Sequence, residues 1–273
     1  MKKCFFETVR ACLLAKDVDE KLRLTRKAAI AWRAGELSLA NFTAAVDVHQ
    51  PGVPDKPELV SAKSVPKRGF GTQEGRAIMI HAIVHIEFNA VNLALDAAQR
   101  FSGMPEAYYA DWLRVADEEA YHFELIRAHL RFLGAEYGDY PAHRGLWDMV
   151  EKTSHDVLER MALVPRVLEA RGLDVTPGIQ LKLRQAGDEH AATILDIIFR
   201  DEIGHVAVGS HWFRVLCKQR GLEAEATFFM LLEKYFPQGM YGPFHEEARL
   251  EAGFTADELA RLLAGSEHAE QAR

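Results

Sequence analysis

Two apolar helical runs, each carrying a Glu and a His three residues apart, constrain this chain more than any other feature. One is RDEIGHV, Arg200 to Val206, which follows Leu195, Ile197, Ile198 and Phe199. The other is EEAYH, with Glu119 and His122 on a stripe shared by Trp112, Ala116, Phe123 and Ile126. Both pairs fall on the faces expected to pack inward. Burying such groups without partners costs several kcal/mol each. Residues three apart lie on one helix face, so each pair can aim two ligand atoms at one place. The spacing itself is weak evidence, since about one Glu-x-x-His arises by chance in a chain of this composition. Placement at mid-helix, on the apolar face, carries the argument.

Four long helical patterns surround these pairs: 74–101, stopped by Ser102-Gly103; 105–134, opened by Pro105 and closed by Gly134; about 145–171, closed by Gly172; and about 187–219, stopped near Gly221. A short helix is expected after Pro177, and no strand alternation is seen, so the expected fold is all-α. The other two helices each supply one acid. Glu87 shares its face with Val84, Val91 and Ala94, and lies about as far before the turn at Gly103 as Glu119 lies after it. On the third helix the same reasoning points to Glu159 as the partner of Glu202 and His205, with His155 and Asp156 as rivals one turn earlier. One Glu from each of two helices and one Glu-x-x-His from each of the other two is the ligand set of carboxylate-bridged di-iron and di-manganese bundles. Two Fe ions are therefore the expected cofactor, with Mn as the alternative, since a carboxylate and imidazole set suits these metals better than do the thiolate-rich sites that favour zinc. The competing account pairs these groups with one another or with Arg114, Arg160 and Arg166. His81 and His85 lie on a different face from Glu87 and read as core or supporting groups.

Residues 3–35 read as two short helices, and 41–73 as a long irregular segment with Pro51, Pro54, Pro57 and Pro66. That segment carries Phe42, Val46, Val48, Val53, Leu59, Val60, Val65 and Phe70, too apolar for a free linker, and is expected to wrap the bundle and cover one entrance to the metals. GFGTQEG follows no predicted strand, and HEEA at His245 lacks a second His, so neither reads as a cofactor motif. A net charge of −7 argues against general nucleic-acid or anionic-membrane binding. Three cysteines without a CxxC read as reduced thiols of a cytoplasmic protein. Glu7 and Arg10 break the apolar opening, against a signal peptide, and no apolar run reaches membrane-spanning length.

The strings HIEFNAVNLALDA, DWLRVADEEAYHF, RMALVPRVLEARGLDVTPG and RDEIGHVAVG, with AWRAGEL and GPFHEEAR, resemble an uncharacterised bacterial family of the ferritin-like superfamily, described only as a domain of unknown function. The resemblance implies a ferritin-like four-helix bundle over 74–219, with an N-terminal helical and irregular extension over 1–73 and a C-terminal helical cap and tail over 220–273. It places metal ligands on Glu87, Glu119, His122, Glu202 and His205, and leaves the third helix in doubt because Pro165 lies inside it. The first functional reading is a di-iron oxygenase or oxidase that uses O2 and an unidentified electron donor on a small organic substrate. The extra chain before and after the bundle favours it, since a pocket needs walls and a lid. A related branch of the superfamily acts on a modified tRNA base, which keeps RNA as a lesser reading. The alternatives are a ferroxidase, peroxide scavenger or metal store, and a bundle whose metals are purely structural.

Overall fold

The computed structural model describes residues 2–40 and 48–271, with side chains to 266. Phe42 and Val46 of the irregular segment lie outside them. The chain is predominantly helical with almost no strand. Packing divides it into two compact units, Met1–Glu151 and Lys152–Arg273. The N-terminal extension and the first two long helices fall in the first unit, and the last two long helices and the C-terminal helices in the second.

In the first unit, α1 (Phe5–Leu14) and α2 (Val18–Arg33) flank the hairpin of α3 (Gln73–Arg100) and α4 (Glu106–Phe132). Two-residue parallel strands, Lys3–Cys4 and Leu37–Ser38, close the ends of the extension, a pairing the sequence pattern does not announce. Helix α3 is buried along most of its length, and an 18-residue window of it is apolar enough to cross a membrane by composition, though 83% of that window is buried within the protein. The hairpin turns at Gly103, whose φ of +80° suits glycine. Tyr108 and Tyr109 fix the turn by donating to the carbonyls of Ala97 and Phe101. Lys21 of α2 is fully buried and donates to the last carbonyls of α1, those of Cys12 and Leu13, at 3.0 and 2.6 Å. Burial pushes its pKa down to about 7.

The irregular segment is well pinned where it is described. Val48 accepts from Arg100, His49 accepts from Trp147, and Gly52 donates to Leu13. A Cβ at Gly52 would lie 2.2 Å from the Leu14 carbonyl oxygen, so only glycine fits there. Val60 and Ala142 then form a short bridge with Glu58. These contacts make 48–60 a strap on the first unit, completed by α5 (Gly145–Lys152), which crosses the boundary between the units.

The second unit corrects the third helix. It does not run from 145 to 171: α5 ends at Lys152, and a new helix starts after Asp156, whose carboxylate caps it by accepting from Leu158. That helix continues as α6 (Val157–Leu163), a π-helical turn (Val164–Glu169) and α7 (Ala170–Gln185), carrying Gly172 and Pro177 inside it. Pro165 lacks an N–H and clashes with the preceding turn, and the widened π turn accommodates it. Its ring meets α8 (Glu189–Gln219) at Gly209, where a Cβ would lie 2.2 Å from Pro165 Cγ. Pro177 does not end the helix, because burial of Leu173 and Leu183 carries the packing past it.

Three further helices, α9 (Ala224–Tyr235), α10 (Glu246–Glu251) and α11 (Ala256–Gln271), complete the unit. Two buried arginines tie them down. Arg166 donates to Glu258 at 2.7 Å and stacks on Phe213, Phe228 and Phe254, which satisfy the guanidinium where oxygen does not. Arg249 makes a bidentate pair with Asp174.

The Gly209–Pro165 contact gives a paired test. Gly209→Ala should lower stability by about 1–3 kcal/mol through overpacking. Gly204→Ala, on the same helix with nothing within 4 Å of a new Cβ, should raise it by about 0.5–1 kcal/mol. Urea denaturation checks both, and equal midpoints for the two variants would contradict the packing described.

Candidate metal centre

In the first unit, three ligand-type side chains converge between α3 and α4. Glu87 lies thirteen residues before the end of α3 and Glu119 thirteen after the start of α4, so the antiparallel hairpin sets them at one height. Glu87 is 4% exposed, and Glu119 and His122 are fully buried. His122 Nδ1 lies 3.3 Å from Glu119 Oε2 and 3.6 Å from Glu87 Oε2. A ligand atom from each of the three lies within 4.8 Å of the others. Burial opposes a charge on His122, but hydrogen bonding and attraction from Glu119 and Glu87 outweigh it and push the imidazole pKa up to about 11. A proton here supplies positive charge that a divalent cation could supply instead.

The second unit repeats the half-motif. Glu202 and His205 stand at mid-α8, with His205 fully buried, the Glu202 side chain 13% exposed and 3.7 Å between His205 Nδ1 and Glu202 Oε1. The acids directly before the two motifs, Glu118 and Asp201, pair with Arg114 and Arg200 on exposed helix edges.

Glu159, the ligand expected from the third helix, is engaged elsewhere. Its carboxylate receives Lys234 Nζ at 2.8 Å and the Tyr235 hydroxyl, with His155 at 3.4 Å. Burial would raise its pKa, but Lys234 and Tyr235 outweigh it and hold the carboxyl below the usual range. Asp156 caps α6 and pairs with Arg220, and His155 is mostly exposed. The cause is register. The third helix extends to Gln185, so Glu159 lies twenty-six residues before its end whereas Glu202 lies thirteen after the start of α8. At 1.5 Å per residue that is a mismatch of about 20 Å. Glu169, sixteen residues before Gln185, misses the level of Glu202 by only about 5 Å. It closes the π turn, and its Oε2 is out of solvent. Such turns recur at functional sites.

His81 and His85 are core anchors. His81 Nε2 accepts from the Gly138 amide at 3.0 Å, and the His85 ring lies 3.0 Å from both the Tyr137 hydroxyl and the His143 carbonyl. Burial depresses both pKa values to about 4. A His whose folded pKa lies below its unfolded value near 6.5 stabilises fully above pH 6.5, and the contribution is lost as the pH falls towards 4. Stability should therefore fall through this window, and a His81→Gln/His85→Gln variant should show a shallower fall. Denaturant midpoints at pH 7.5, 5.5 and 4.5 check this, and identical slopes would contradict it.

The comparisons with known proteins agree on kinship and are silent on activity. A protein of Haemophilus influenzae, itself described as uncharacterized, is 56% identical over 213 residues, 76% of this chain and 74% of the relative. No solved structure matches. The family described as "Protein of unknown function (DUF455)" matches residues 14–260, and the chain belongs to it.

Proposed function

We propose that this protein is a carboxylate-bridged di-metal protein, with iron as the first candidate and manganese as the second, in which the four long helices form a ferritin-like bundle. The observation that carries the reading is the convergence of Glu87, Glu119 and His122 inside the first unit. Two carboxylates and an imidazole held together out of water are costly as a purely structural device, and they are a donor set suited to Fe or Mn. Glu202 and His205 repeat the arrangement on α8 and complete the reading as the second Glu-x-x-His. Glu169 takes the place first expected for Glu159, giving four carboxylates and two imidazoles.

When bound, such a pair of ions supplies redox chemistry towards dioxygen. The chain's own contribution is to fix the donors, keep bulk water away and balance charge. The apolar neighbours of Glu87 and Glu119 do the second, and the exchange of a proton on His122 for a cation does the third. Oxidation of a small organic substrate, with an external electron donor, fits better than storage. The support is the strap at 48–60 and the cap tied down by Arg166 and Arg249, for which a bare iron store has no use. A cytoplasmic site of action fits three cysteines that form no disulfide.

Anaerobic loading with ferrous iron, desalting and elemental analysis should return two irons per chain. Glu119→Gln should lose most of the metal, Glu169→Gln should lose about one ion, and Glu159→Ala should keep both. No stoichiometric metal in a folded wild type would refute the proposal. Retention in Glu169→Gln with loss in Glu159→Ala would restore the first ligand assignment.

A further inference from the structure

Within the first unit, a cavity of about 180 Å³ lies between the strap and α3. The rings of Phe88, Tyr137 and Trp147 face those of Pro51, Pro54 and Pro57 across it. An apolar cavity of about 150 Å³ is large enough to hold benzene, so this one takes a single ring with a small substituent. Its walls are rigid: Trp147 is fixed by its indole donating to His49, and Tyr137 packs on Phe88 at 5.5 Å between ring centroids.

Among the described residues, the one cation lining the cavity is already paired. Arg144 at the rim is paired with Asp148 at 2.8 Å and Glu151 at 2.5 Å. The two ring nitrogens of His85 are engaged by Tyr137 and the His143 carbonyl. One polar group is left over. Asn89, 8% exposed, donates from its amide nitrogen to the His85 carbonyl at 2.7 Å and lies 3.1 Å from His85 Nε2; the carbonyl can only accept, which fixes the amide orientation. Among the described residues nothing donates to its oxygen. An unengaged amide acceptor on a residue that lines an aromatic wall favours a ligand that brings one hydrogen-bond donor and no charge.

We infer that this cavity is a binding site for a neutral one-ring aromatic compound of the phenol class, its ring between the aromatic and proline walls and its hydroxyl donating to Asn89. The inference stands on the cavity alone and does not depend on metal binding.

The test uses the full-length chain after chelator treatment, so that the fate of the metal proposal does not enter. Phenol, benzene and benzoate are titrated by calorimetry and by saturation-transfer NMR. Phenol should bind one per chain with a Kd on the order of 0.1–1 mM, about fivefold tighter than benzene, and benzoate weakest of the three. Asn89→Leu should bring phenol and benzene to parity. Val53→Trp, on the half-exposed strap face of the cavity, should abolish binding of both while leaving the thermal melt unchanged. Absence of saturable phenol binding, benzoate binding tighter than phenol, or unchanged binding in Val53→Trp would each overturn the inference.

Discussion

The first unit is organised around two carboxylates that share a dry space with one imidazole. Glu87 and Glu119 would repel each other at this separation, and His122 between them supplies the compensating charge. The surrounding structure has to hold that arrangement still. It does so with a buried helix hairpin, a turn locked by Tyr108 and Tyr109, and salt links from α2 to α4 through Arg26–Glu124 and Arg33–Asp117. The outer links are exposed and worth little individually; the apolar packing of α3 against α4 sets the geometry.

The second unit is built on a less regular helix. Pro165 forces a π turn into the middle of the third helix, and Gly209 on α8 leaves room for the proline ring. The turn ends at Glu169. A proline that would otherwise only weaken a helix is thereby placed where a widened backbone can redirect a carboxylate. Within that turn the buried guanidinium of Arg166, stacked on three phenyl rings, joins the C-terminal helices to the unit.

How far the sequence could be read depended on the turns. Ser102-Gly103 marks the α3–α4 turn plainly, so counting residues from it put Glu87 and Glu119 at one height, and they are found together with His122. The third helix defeated the same counting. Gly172 and Pro177 look like stops, yet both lie inside a helix that ends at Gln185, so a register counted from Gly172 is off by about a dozen residues. Local helix signals lost there to burial of the apolar face. The all-helical class was legible from periodicity. The grouping into two units was not, because no composition shift marks residue 151. The prolines and apolar residues of 48–60 mark it as extended and docked rather than free; its docking on α1 through Gly52 and on α5 through Trp147 has no local signature.

The central claim is that the buried carboxylate and imidazole groups serve a pair of metal ions rather than one another. Mössbauer spectroscopy of the anaerobically iron-loaded protein, recorded before and after exposure to oxygen, tests it most directly. The account predicts iron that becomes a spin-coupled pair on oxidation, and loss of that signal in Glu119→Gln. Only uncoupled mononuclear iron, or a folded protein that retains none, would contradict it.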